Sequence, residues 1–186
     1  MTTLPMLLTW LRILAIPLLI AAFYWPDEQA RVWATVIFMV AAWTDWLDGY
    51  LARKWDQTSG FGAFLDPVAD KLIVAAALIM LSIDIQTLWI TIPVLVIISR
   101  EIIISALREW MATEELSASV AVSNMGKWKT ATQLGAITFL LYGQDFYGIP
   151  LKEFGFILLL VATVLTLVSM VQYLSSAIRA VKEKNA

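Results

Sequence analysis

The sequence predicts an all-α integral membrane protein with six transmembrane helices, and two observations lead to this fold class. Of the 186 residues, 60% are hydrophobic and only 15% are charged, an imbalance that a water-soluble core cannot absorb. The hydrophobic residues also form six stretches separated by short turns that contain Pro, Gly, Asp or Glu. Because backbone polar groups inside a bilayer must bond to one another, such stretches are expected to be helices.

The six apolar stretches follow one another along the chain, and most carry charges near one end. They cover residues 7–25, 32–51, 64–83, 88–111, 130–142 and 154–178. Only the last has the ~18 or more uncharged apolar residues typical of a membrane span, and the short fifth is expected to extend at both ends. Residues 59–62 are expected to form a turn, with Pro67 at the start of the third helix.

The two ends of the chain and its domain organisation follow from the same pattern. Residues 3–10 either begin the first span or form an interfacial helix that leads into it. No internal repeat and no long linker divides the chain, which predicts a single membrane domain over residues 1–186. In the six-helix topology eight Lys and Arg residues lie on one side and only Arg31 and Lys152 on the other. Since basic loops stay in the cytoplasm, both termini are predicted to be cytoplasmic.

The amino-acid composition limits which side chains can take part in catalysis and which partners are expected. The chain has no cysteine and no histidine, so any catalysis must use carboxylates, Lys, Arg or hydroxyl groups. The net charge of −2 and the scattered basic residues argue against nucleic acid as a partner.

Charged residues interrupt otherwise apolar helices, where each costs at least ~3 kcal/mol at mid-membrane and is presumed functional. They are Asp45, Asp48, Asp66, Asp70, Arg100 and Glu101. With a rise of about 1.5 Å per residue, Asp45 and Arg100 are expected about 20 Å inward from the outer face. The charges therefore gather in the cytoplasmic third of the bilayer.

Helical spacing predicts that the four aspartates form one site. Asp45 and Asp48 share a face of the second span, and Asp66 and Asp70 are one turn apart on the third. Two antiparallel helices would then present four carboxylates to each other, a set that favours two hard cations, Mg²⁺ or Mn²⁺, acting on phosphates.

Two other interpretations stay open at this point. A single buried Asp could form an inert salt bridge with an arginine. The aspartates could instead line the pathway of a divalent cation transporter, although such sites usually lie near the midplane with access from both sides.

The spacing Asp45-x₂-Asp48-Gly49-x₂-Ala52-Arg53-x₈-Gly62-x₃-Asp66-x₃-Asp70 resembles the complete signature of the CDP-alcohol phosphatidyltransferases. The segments SREIIISALREW and GKWKT extend the resemblance over nearly the whole chain, towards bacterial members that use glycerol 3-phosphate. The resemblance implies a six-helix fold, usually a homodimer in the inner membrane, whose active site opens to the cytoplasm.

The resemblance also implies a reaction and a role for each residue. The phosphatidyl group of CDP-diacylglycerol would pass to glycerol 3-phosphate with release of CMP, while the four aspartates hold two metal ions and Asp70 also acts as the base. The expected contacts to the CMP portion are Thr44, Asp48, Gly49, Arg53 and Gly62, and those to the acceptor phosphate are Arg100, Arg108, Lys127 and Lys129. Thr9 and Arg12 are further candidates without an assigned role.

Acceptor identity rests on the basic residues, which fit an anion better than free serine, inositol or choline. The alternative for Lys127 and Lys129 is that they serve only the positive-inside topology. Acceptors such as inositol phosphate, serine or a second phosphatidylglycerol, the last giving cardiolipin, therefore remain open.

Overall fold

The computed structural model describes residues 4–55, 60–114, 116 and 124–184, and within these ranges the regular structure is helical. The predicted all-α class is thereby confirmed. The six helices of the described residues are α1 (Leu4–Phe23), α2 (Ala30–Trp55), α3 (Gly60–Ile85), α4 (Leu88–Thr113), α5 (Asn124–Tyr142) and α6 (Leu151–Lys184).

Each predicted apolar stretch corresponds to one helix, but the structure corrects the predicted start of the first helix and of the third. Residues 4–10 are the first turns of α1 and not a separate interfacial helix. The turn expected at residues 59–62 is wrong for residues 60–62, because α3 already begins at Gly60 and contains Pro67 in its interior, while residue 59 lies outside the described residues. A proline removes one backbone hydrogen bond from a helix, a loss that membrane helices tolerate where neighbouring groups compensate.

Three of the described helices are long and apolar enough to cross a membrane. These segments are Met6–Phe23, Leu88–Thr113 and Leu151–Lys184, and a shorter apolar segment, Ala30–Thr44, lies within α2. Large apolar side chains such as Leu18 and Val164 are exposed on these helices, as expected for surfaces that face lipid. With 34 residues, α6 is about 51 Å long and exceeds the ~30 Å hydrocarbon core, so its basic last turn can reach water.

The chain divides into two compact units. The first unit is Met1–Ile85 with Ile137–Gly155, and the second is Gln86–Ala136 with Phe156–Ala186. The single membrane domain over residues 1–186 stays a prediction.

In the first unit, α1 packs against both α2 and α3. Arg31 ties the three helices together at one end: its guanidinium lies 2.6 Å from Asp84 of α3 and its carbon 4.4 Å from the ring centroid of Phe23 in α1. The connection after α5 belongs to this unit and forms a tight turn in which Phe146 and Ile149 exchange backbone hydrogen bonds. Tyr147 and Gly148, at φ 50° and 83°, have the left-handed backbone that such a turn needs.

In the second unit, a small apolar core joins the C-terminal end of α4 to the basic C-terminal end of α6. Met111 is buried with Ala177 and Ala180, and Leu107 packs against them. The Lys184 ammonium bonds to the Glu114 carboxylate at 2.8 Å and to its carbonyl at 2.9 Å. The end of α4 is thus fixed to the end of α6.

Candidate active site

The four aspartates lie at matching levels on α2 and α3. Asp48 is seven residues before the end of α2 and Asp66 six residues after the start of α3, so both backbones are about 10 Å from the connection at residues 56–59. Asp45 and Asp70 are each ten residues from the same helix ends, or about 15 Å. A short connection makes consecutive helices antiparallel neighbours. The backbones therefore lie at two levels, with Asp48 opposite Asp66 and Asp45 opposite Asp70.

Asp66 and Asp70 are both half-buried, and Gly62, one turn before Asp66, is buried. The side chains of Asp45, Asp48, Gly49 and Arg53 lie outside the described residues, although the backbone of α2 is described there. Among the side chains that the structure does describe, no three acidic residues form a cluster that could hold a metal ion. The four-carboxylate site therefore stays a prediction, supported by the levels of the backbones.

A buried polar pair on α1 faces this region of the first unit. The Thr9 hydroxyl is fully buried and donates a hydrogen bond to Oδ1 of Asp66. Arg12 follows three residues later and is only 1% exposed. Of the two candidates without an assigned role, the structure thus brings Thr9 into direct contact with one of the four aspartates.

Thr44, a predicted contact of the CMP portion, is half-buried near the end of the apolar part of α2. Its hydroxyl donates to the carbonyl of Ala41 at 2.8 Å, in the manner usual for threonine in membrane helices. The oxygen of such a hydroxyl can still accept a hydrogen bond from a ligand.

The second unit contains a buried cluster of opposite charges, which we call the Glu101 cluster: Arg100, Glu101, Lys129 and Ser169. Lys129 of α5 donates to Oε1 of Glu101, and a guanidinium nitrogen of Arg100 lies 3.3 Å from the same oxygen. The other terminal nitrogen of Arg100 donates to the Ser169 hydroxyl of α6 at 3.1 Å. Glu101 therefore links α4 to α5, and Arg100 links α4 to α6.

The Glu101 cluster has an excess of positive charge. Two cations share one carboxylate, and the exposed fractions of their side chains are only 13% for Arg100 and 6% for Lys129. Nε of Arg100 is buried and has no hydrogen-bond partner among the described residues. A buried N–H donor of this kind, next to surplus positive charge, is well suited to bind an anion.

The remaining basic candidates differ from these two. Arg108 is exposed, two turns beyond Arg100 on α4, and its guanidinium carbon lies 5.3 Å from the ring centroid of Tyr173. The side chain of Lys127 lies outside the described residues.

Sequence reasoning missed Ser169 and Tyr173, which contact Arg100 and Arg108 respectively. Their signal was present in the sequence, because Ser169, Tyr173 and Ser176 recur at helical spacing on one face of an otherwise apolar helix. The structure also gives Glu101 two partners, Arg100 and Lys129.

Comparison with known proteins gives one consistent result. The model of a family described as CDP-alcohol phosphatidyltransferase matches residues 2–168. The chain is 52% identical over 173 residues to a CDP-diacylglycerol–glycerol-3-phosphate 3-phosphatidyltransferase of Haemophilus influenzae, covering 93% of this chain and 92% of the relative. It is 49% identical to proteins of the same name from Salmonella choleraesuis and Shigella flexneri serotype 5b, covering 93% of both chains in each comparison.

Proposed function

The chain belongs to the CDP-alcohol phosphatidyltransferase family, and we propose that it transfers the phosphatidyl group of CDP-diacylglycerol to glycerol 3-phosphate. The products are phosphatidylglycerol phosphate and CMP. One observation carries this proposal: relatives about half identical over 93% of the chain are named for this reaction. The long apolar helices fit a substrate that is itself a membrane lipid.

We propose that Asp45, Asp48, Asp66 and Asp70 hold two divalent cations, Mg²⁺ or Mn²⁺. The matching levels of the four backbones and the absence of His and Cys ligands support hard cations with oxygen ligands. Bound there, the metals would stabilise negative charge on the phosphate oxygens during transfer.

The residues of the chain would supply positioning and proton transfer. Asp70 takes the proton of the acceptor hydroxyl as the oxygen attacks the phosphorus that carries diacylglycerol, and the bond from that phosphorus to CMP breaks. Asp70 is half-buried on α3, one turn after Asp66. The proposed contacts to the CMP portion are Thr44, Asp48, Gly49, Arg53 and Gly62.

The acceptor phosphate is assigned to Arg100, Arg108, Lys127 and Lys129. The excess positive charge of the Glu101 cluster and the buried Nε of Arg100 support an anionic acceptor. A phosphate monoester carries about two negative charges near neutral pH and offers three acceptor oxygens for such donors.

For the membrane topology we propose six spans with both termini in the cytoplasm. We further propose that the enzyme is a homodimer in the inner membrane of a bacterium. The uneven distribution of Lys and Arg over the two predicted sides supports this orientation.

A direct test measures CMP release by the purified full chain in detergent micelles that contain CDP-diacylglycerol and Mg²⁺ or Mn²⁺. Glycerol 3-phosphate is compared with inositol phosphate, serine and phosphatidylglycerol as acceptors, with a metal-chelated sample as the control. We expect CMP release with glycerol 3-phosphate that stops on chelation. Turnover with another acceptor and none with glycerol 3-phosphate would contradict the assignment of glycerol 3-phosphate as the acceptor.

A further inference from the structure

Thr9 occupies a position that packing alone does not explain. It lies in an apolar helix that has no acidic residue, is fully buried, and donates its hydroxyl hydrogen to Asp66, which is 57 residues away along the chain. Arg12, on the same face, is almost completely buried as well. This face of α1 is therefore polar where it meets the other helices of the first unit.

A buried threonine in such a helix does not need a partner on another helix. Thr35 of α2, in the same unit, is 7% exposed and donates to the carbonyl of Arg31, four residues earlier, at 2.7 Å. Such a local bond satisfies the hydroxyl within its own helix. The bond from Thr9 fixes the orientation of a carboxylate on α3.

We propose that Thr9 is a positioning residue that holds Oδ1 of Asp66, so that the other carboxylate oxygen is presented to a divalent cation. The inference rests on the proposed metal-binding role of Asp66. A carboxylate held by one hydrogen bond loses less side-chain freedom when it binds a metal, and groups that orient metal ligands typically contribute 10- to 100-fold in affinity.

The inference predicts that metal affinity depends on the hydroxyl of residue 9 and not on its shape. Thr9→Val keeps the volume and removes the donor, whereas Thr9→Ser keeps the donor. Thr35→Val is the matched control, because it removes a buried hydroxyl of the same unit that bonds within its own helix.

The experiment titrates each purified full-length variant with Mn²⁺ and follows free Mn²⁺ by electron paramagnetic resonance. We expect Thr9→Val to raise the Kd for Mn²⁺ by about 10- to 100-fold, Thr9→Ser to stay within about threefold of the unchanged chain, and Thr35→Val to match it. In the CMP assay, Thr9→Val should need more metal for half-maximal activity and recover most of kcat at saturating metal. Thr9→Ala carries the same prediction if Thr9→Val does not fold.

Two results would overturn the inference about Thr9 and leave the proposed metal site intact. Thr9→Val could bind Mn²⁺ as tightly as the unchanged chain, or Thr9→Ser could lose as much affinity as Thr9→Val. If the unchanged chain binds no Mn²⁺, the proposed metal site fails and this inference fails with it. The two failures are distinguishable, because only the last removes binding from the unchanged chain.

Discussion

Replacing Arg100 by lysine should weaken binding of the acceptor while the charge is conserved. One terminal nitrogen of the Arg100 guanidinium lies 3.3 Å from Glu101 and the other 3.1 Å from the Ser169 hydroxyl, so that Nε remains as a third, buried donor. A lysine ammonium is a single point of charge on a flexible stem and cannot place donors at these three separate positions. Arg100→Lys therefore keeps the positive charge but loses the three separately placed N–H donors of the guanidinium.

The size of the effect follows from the bonds that are lost. A hydrogen bond to a charged group contributes about 1.5–3 kcal/mol, and each 1.36 kcal/mol corresponds to a factor of ten. Loss of the Nε contact to the acceptor phosphate should thus raise KM for glycerol 3-phosphate by about 10- to 150-fold. KM for CDP-diacylglycerol should change by less than about twofold, because the donor contacts are assigned to residues of α2 and α3.

The assay is CMP release under variation of one substrate at saturating concentration of the other. Arg179→Lys is the matched control, since Arg179 is an exposed arginine on α6 outside the proposed site. An unchanged KM for glycerol 3-phosphate in Arg100→Lys would refute the reasoning. An equal rise for both substrates would also refute it, because such a rise indicates general damage and not a contact with the acceptor.

Three further predictions concern catalysis and packing. Asp70→Asn should lower CMP release by about 100-fold or more with unchanged thermal unfolding, and near-normal turnover would remove Asp70 from the base role. A Cβ on Gly155 would lie 2.9 Å from Cγ of Leu140, which is a steric clash, so Gly155→Ala should destabilise the chain by about 1–3 kcal/mol in thermal unfolding. A Cβ on Gly135 would lie 3.5 Å from Cδ1 of Leu158, an ordinary contact distance, so Gly135→Ala should destabilise it much less. Asp84→Asn should destabilise by up to about 1 kcal/mol, an effect that shrinks in 1 M salt, because its ion pair with Arg31 is partly exposed.

The sequence is most informative where charged residues interrupt apolar stretches. Helices α2, α3 and α4 each contain acidic or basic residues inside apolar stretches, and the energetic cost of such residues in a bilayer is enough to indicate a functional site. The levels of Asp45, Asp48, Asp66 and Asp70 along two neighbouring helices also follow from their spacing, because helical rise and a short connection determine them.

The sequence could not supply contacts between residues that are distant along the chain. Thr9 to Asp66 and Arg100 to Ser169 are separated by 57 and 69 residues, and which helix faces which is decided by packing. The start of α3 was missed for a local reason: Gly60 and Pro67 suggested a turn and a helix start, yet the helix continues through both. A turn signal is weak evidence where the flanking residues can continue the backbone hydrogen bonds of a helix.

If the Glu101 cluster binds the acceptor as proposed, its charges decide which acceptors are favoured. Among the described side chains, Arg100 and Lys129 are largely buried and share the Glu101 carboxylate, which leaves one positive charge uncompensated in a poorly solvated place. A neutral acceptor such as inositol or a zwitterionic one such as serine would leave this charge uncompensated, which is costly in a low-dielectric environment. In the proposed site, an anionic acceptor such as a phosphate monoester would compensate this charge and give Nε of Arg100 a hydrogen-bond acceptor. The proposed acceptor site therefore favours anionic acceptors over neutral ones, and the relatives are named for one of these anions, glycerol 3-phosphate.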